Sequence, residues 1–100
     1  MPVRVGSSKD VKAGEMRAFE VAGTTVTVAS AGEHLYAFDD ACTHMGCSLA
    51  DGELAGTVVT CPCHGSQFDV TSGAVLRGPA KTPVRSHAVT VQGDDLLVGE

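Results

Sequence analysis

Cys42-Thr43-His44 and, after sixteen intervening residues, Cys61-Pro62-Cys63-His64 decide how this chain is read. Each short segment offers a thiol and an imidazole. Soft thiolates beside imidazoles suit iron–sulfur or zinc chemistry better than hard cations. Gly46 and Gly65 follow closely, where tight loops need backbone freedom. The stretch 42–68 therefore reads as one metal centre held between two loops, with the rest of the chain as scaffold.

Outward from that stretch, strand signals dominate. Val3–Val5, Met16–Val21, Thr24–Ala29, His34–Phe38, Thr57–Thr60, Gln67–Val70, Ala74–Leu76, Val84–Val91 and Leu96–Val98 are short, β-branched or alternating. Ala22-Gly23 is a two-residue connection of hairpin type. Ser30–Glu33 reads as a turn, and Gly93-Asp94 as the turn of a last hairpin. Lys9–Glu15, Ser48–Gly56 and Arg77–Pro83 read as irregular connections. About nine strands at close spacing, with no helical period of useful length, mean an all-β sandwich or barrel. The two ligand loops would form a small subdomain at one end, about residues 41–69. No repeats or low-complexity segments stand out.

One hundred residues suffice for one domain and a modest core, so 1–100 is read as a single domain. The formal charge is −5 with acids spread along the chain, which argues against a nucleic-acid partner and suits a protein that docks on something basic. The start of the chain has no apolar stretch of signal-peptide length, and no run approaches the roughly 20 residues that cross a bilayer. A cytoplasmic protein without a membrane span, acting as a monomer, is expected. Four cysteines in such a setting point to metal or redox chemistry before a disulfide framework.

Zinc sites usually draw their cysteines as Cys-x2-4-Cys pairs, whereas here each loop gives one cysteine and one histidine. That is the ligand set of a two-iron, two-sulfide cluster with two thiolates on one iron and two imidazoles on the other. A zinc ion on Cys42, His44, Cys61 and His64 is the competing reading. At this point the chain resembles the Rieske iron–sulfur family. The resemblance covers the ligand loops, the all-β pattern and the Gly-Pro-Ala-Lys-Thr-Pro segment at 78–83, where the family has its proline-containing loop.

The resemblance implies one [2Fe-2S] cluster per chain. Cys42 and Cys61 would bind an inner iron, and His44 and His64 an outer one near the surface. Thiolates stabilise ferric iron, and imidazoles leave the outer iron electron-poorer, so the outer iron is the one reduced. The potential then lies in the range of roughly −150 to +300 mV. In quinol-oxidising members, cysteines at the positions of Cys47 and Cys63 form a disulfide clamping the two loops, and the same bridge is expected here. Ser66 matches the family serine that donates to a cluster sulfide. Phe68 stands where quinol-oxidising members have a tyrosine. One donor kept and one lost implies an intermediate potential. Met45 and Pro79 would shield the cluster.

The function implied is one-electron transfer from a reductase to a terminal oxygenase or other redox enzyme. The protein would not be an enzyme itself, because both irons are fully ligated. Oxygenase ferredoxins generally lack the Cys47/Cys63 pair, so a small subunit of a larger enzyme is the alternative: quinol-oxidising, arsenite-oxidase-like or nitrite reductase. A redox- or metal-sensing interaction module is a third reading. His34 and His87 read as surface or hydrogen-bonded histidines, Thr43 as loop packing, and Met16 and Phe19 as core or strand-face residues. Asp39-Asp40 and Asp94-Asp95 read as solvated turns.

Overall fold

The computed structural model describes residues 2–32, 34–43, 46–63 and 65–99, and every statement below concerns these. Eleven strands form three antiparallel sheets. β1 (Val3–Ser7), β11 (Asp95–Val98) and β10 (Val89–Gln92) make one, in the order β1-β11-β10. β2 (Met16–Val21), β3 (Thr24–Ala31), β4 (His34–Asp39) and β9 (Ser86–His87) make the second, in that order. β5 (Glu53–Ala55), β6 (Val58–Thr60), β7 (Gln67–Asp69) and β8 (Val75–Arg77) make the third, also in sequence order.

The second sheet lies between two cores, and the period-2 alternation of its strands explains how. In β3, Val26 and Val28 enter one core while Ala29 and Ala31 enter the other. In β4, Ala37 goes to the first and Phe38 to the second. β2 sends Phe19 and Val21 one way and Met16 the other. So β3 is buried from Val26 to its end, as a run apolar on both faces requires. The first core is closed by Leu96 and Val98 of β11 and by Val11. The second holds Phe38, Leu49, Val59, Phe68, Val70, Ala80 and Val84, together with the cysteines Cys42 and Cys61. Small Ala29 and Ala31 on that face leave room for the two phenylalanines, each fully buried. Burial of that kind stabilises by about 1.5–3 kcal/mol per large side chain.

The expected all-β architecture is present, with differences in detail. The β2–β3 hairpin turns on Ala22 and Gly23, both at positive φ (50° and 84°), with Val21 opposite Thr24. That is the backbone a right-twisted two-residue hairpin demands. β3 runs past Ala29, pairing Ser30 with Leu35 and Ala31 with His34. Glu33, at the end of the expected turn, lies outside the described residues. The segment 48–56 is not irregular throughout. It holds a 3-10 turn, Leu49–Asp51, and the strand β5, whose ladder is supplied by β6. The expected single strand 84–91 is two strands in different sheets. β9 pairs with β4, β10 pairs with β11, and the chain changes sheets at Ala88.

Candidate metal centre

Two hairpins of the same construction sit at one edge of the second core. In the first, Ala41 pairs with Ser48, the Cys42 N–H donates to the Cys47 carbonyl at 2.8 Å, and the Gly46 N–H to the Cys42 carbonyl at 2.7 Å. In the second, Thr60 pairs with Gln67, the Cys61 N–H donates to the Ser66 carbonyl at 2.8 Å, and the Gly65 N–H to the Cys61 carbonyl at 3.2 Å. Every partner in the second hairpin stands nineteen residues after its counterpart in the first. Gly46 and Gly65 take matching positive φ, 75° and 77°. Leu49 and Phe68, at matching places beyond the hairpins, are both fully buried in the same core. The sequence shows this equivalence only as Cys-x3-Gly repeated at that offset.

The construction places Cys42 and Cys61 at equivalent positions, each 3% exposed. Two buried thiols at the bases of two facing loops are a donor set for a soft metal. His44, Met45 and His64 lie outside the described residues. The two hairpins are joined covalently: Cys47 and Cys63 form a disulfide with Cα atoms 6.5 Å apart.

A third segment closes on both hairpins. The Thr43 hydroxyl donates to the Thr82 carbonyl at 2.6 Å, and the Ser66 hydroxyl oxygen accepts from the Ala80 N–H at 3.0 Å. Thr43 is thus a tie between loops, more than the packing expected of it. The same segment carries a cis peptide bond at Gly78-Pro79. Its Val84 N–H donates to the Gly73 carbonyl, fixing the far end.

These strand-connecting hairpins, their bridge and the third loop are the arrangement that the sequence resemblance implied. Residues 1–88 match the family model described as the Rieske [2Fe-2S] domain. The chain belongs to the Rieske family. The ferredoxin component of biphenyl 2,3-dioxygenase from Rhodococcus jostii (strain RHA1) is 36% identical over 95 residues, covering 95% of this chain and 89% of that protein. The solved ferredoxin of carbazole 1,9a-dioxygenase from Nocardioides aromaticivorans IC177 superposes with a TM-score of 0.94 at 36% identity, over 99% of this chain and 97% of that one. A chain from a complex of reduced oxygenase and oxidized ferredoxin in carbazole 1,9a-dioxygenase superposes at 0.92 with 31% identity, covering 98% and 92%.

Within this Rieske chain Ser66 and Phe68 are both fully buried. Ser66 spends a lone pair on Ala80, which leaves its proton to donate elsewhere. Phe68 packs in the core that also contains Cys42 and Cys61. Pro79 is exposed. Of Asp39-Asp40, expected to be solvated, Asp39 is part-exposed and Asp40 is buried. Asp39 pairs with His87 Nε2 at 2.7 Å. Asp40 is 7% exposed, and its Oδ1 accepts from the Thr27 hydroxyl (2.6 Å), the Ser48 hydroxyl (2.9 Å) and the Ala50 N–H (3.0 Å). A buried carboxylate persists only when so satisfied, and this one ties the first hairpin to β3. Sequence reasoning missed it because its partners lie 8 to 13 residues away with no periodic signal. His87 is hydrogen-bonded and His34 exposed, as expected. Asp94 and Asp95 are exposed and lie beside Lys9 and Arg4.

Proposed function

We propose that Cys42, His44, Cys61 and His64 hold one [2Fe-2S] cluster per chain, and that the whole of 1–100 is one domain whose cluster-binding part is about 41–69. The observation that carries this is the pair of equivalent hairpins presenting the buried Cys42 and Cys61. When bound, such a cluster supplies a one-electron couple whose potential is raised by its imidazole ligands. The chain's own residues do the rest. Burial of Cys42 and Cys61 keeps water from the thiolate side. The Cys47–Cys63 bridge limits how far the hairpins can part. Thr43 and Ser66 hold the third loop against them, and Pro79 and Met45 are assigned to shielding.

The chain is an electron carrier and not itself an enzyme. Its homologues are ferredoxin components of dioxygenases. By that likeness it takes single electrons from a reductase and delivers them to a terminal oxygenase. Among the described residues no helix is long and apolar enough to cross a membrane. The cytoplasm is part of this reading, and cell fractionation tests it.

A redox titration followed by visible circular dichroism tests the centre itself. A Rieske-type spectrum, a midpoint between simple oxygenase ferredoxins and quinol-oxidising proteins, and equimolar iron and inorganic sulfide are expected. A lone zinc with no inorganic sulfide overturns it. The disulfide favours a second reading, a small subunit of a larger redox enzyme. Co-purification with a large catalytic subunit decides for that one; turnover with a separate reductase and oxygenase decides for the carrier.

A further inference from the structure

Three sulfurs meet where the hairpins are joined. Those of Cys47, Cys61 and Cys63 all lie within 4.8 Å of one another. Two of them form the disulfide. The third belongs to a buried thiol that, in a cluster-bearing chain, is paired with Cys42 across the centre. The trio runs from the core to the surface: Cys61 is buried, Cys47 half-buried and Cys63 exposed. An ion could therefore reach it from solvent without unfolding the chain, and solvent can fill a fourth position.

We propose that in the cluster-free chain these three residues form a second metal site, gated by the disulfide, whose ligand is a soft divalent cation, zinc above all. The gate is a two-electron step. A dithiol reductant breaks the Cys47–Cys63 bond, gives each sulfur an electron and a proton, and becomes a disulfide itself. Zinc then displaces the thiol protons. The geometry suits this. A Zn–S bond is about 2.3 Å, so tetrahedral thiolates stand about 3.8 Å apart. Sulfurs already gathered within 4.8 Å need only the small separation that opening the bridge provides. With the bridge intact, two of the three sulfurs are not thiolates and the site does not exist.

Zinc held there takes Cys61 away from cluster assembly, so the two occupants exclude each other. That exclusion rests on Cys61 being a cluster ligand; the zinc site does not. The consequence is a chain whose unloaded form has two fates, set by the state of one bridge.

The test uses the full cluster-free chain carrying His44→Ala and His64→Ala, which removes the competing two-cysteine, two-histidine set. Zinc, and cobalt(II) as its spectroscopic stand-in, are added before and after reduction, and excess metal is removed by desalting. The reduced chain is expected to retain a single zinc and to show an intense thiolate-to-cobalt charge-transfer band. The oxidised chain is expected to retain neither. Adding Cys63→Ser should weaken binding at least about tenfold, since even outer partners of a metal commonly cost that much. Retention that ignores the state of the bridge, or no retention after reduction, overturns the proposal.

Should the double histidine variant not fold, the reduced cluster-free chain with its histidines in place serves. There Cys47→Ser should weaken zinc binding about tenfold or more while His64→Ala does not. The opposite pattern overturns the proposal. Failure of the cluster reading would appear separately, as absent inorganic sulfide in the unaltered protein, and leaves these arms unaffected.

Discussion

The Ser66 hydroxyl oxygen accepts the Ala80 N–H inside the core, so this side chain holds the third loop, and in the proposed cluster-bearing chain its proton would be left to donate to the centre. Two effects of Ser66→Ala follow and can be told apart. Removing the acceptor strands a buried N–H, which costs about 1–3 kcal/mol and lowers the denaturation midpoint. If Ser66 also donates to the proposed cluster, removing that donor destabilises the more negative, reduced state. A difference of ~1 kcal/mol corresponds to about 40 mV in a one-electron couple, so the protein-film midpoint should fall by roughly that. An unchanged midpoint with lowered stability would confine Ser66 to the loop. Phe68→Tyr is expected to act in the opposite direction. Its ring shares a core with the Cys42 and Cys61 thiols, and a hydroxyl there should raise the midpoint by a similar amount. Left unsatisfied it would cost about 1–3 kcal/mol. Loss of stability with no rise in midpoint counts against a donor role at this position. Ser66 and Phe68 could be singled out in the sequence because the family resemblance matches them to positions just after a ligand motif. Asp40 could not, since nothing local marks a carboxylate whose donors come from Thr27 of β3, Ser48 of the first hairpin and Ala50 beyond it.

At the scale of elements, what the sequence displayed were strands with their own alternation and turns with their own chemistry. Ala22-Gly23 is the clear case. What it hid were elements that exist only through a partner. β5 is three residues long and owes its ladder to β6. β9 is two residues long and owes its ladder to β4. The equivalence of the two hairpins was hidden too, because it lies in carbonyl and N–H groups. One glycine is fixed by such packing. Gly73 sits at φ +83°, and a Cβ there would collide with the Val84 carbonyl. Gly93 has a similar φ, +62°, with nothing nearby. Gly93→Ala should cost the backbone penalty alone, about 1–2 kcal/mol. Gly73→Ala should cost clearly more and loosen the anchor of the third loop, as read by chemical denaturation. Equal costs would show that the anchor yields freely. The turn from β7 to β8 makes a pH prediction. The Thr71 hydroxyl and N–H donate to Asp69 and hold its carboxyl below the ordinary value. A folded value below the unfolded one gives stability that is present above the usual carboxylate range. It is lost as pH falls through the folded value. Asp69→Asn should therefore flatten part of the acid-side decline in melting temperature between about pH 5 and 2. A decline of unchanged slope removes this residue from the account.

Across the whole molecule, net charge and local charge point in opposite directions. The chain carries −5, from which a basic docking face was expected. Yet segments 41–48, 60–67 and 77–85, the two hairpins and the third loop, contain no acidic residue and hold Arg77, Lys81 and Arg85. All three are exposed, and the hydrogen bonds of Thr43 with Thr82 and of Ser66 with Ala80 keep their loop beside the hairpins. Screening decides which charge matters. The Debye length is about 10 Å at 0.1 M ionic strength, so a partner at contact responds most to the charges nearest the docking face, where these three segments supply cations only. An acidic docking face on the electron acceptor follows. Lys81→Glu should then slow second-order electron transfer to the oxygenase severalfold at low salt, and the difference from the unaltered protein should fade towards 1 M, where screening acts within about 3 Å. Stopped-flow reduction of the oxygenase measures both. If net charge governed the encounter instead, the same substitution would add to an attraction already present and the reaction would run faster. A faster variant therefore returns the basic face that composition alone suggests, while a rate indifferent to both charge and salt removes electrostatic steering from the encounter.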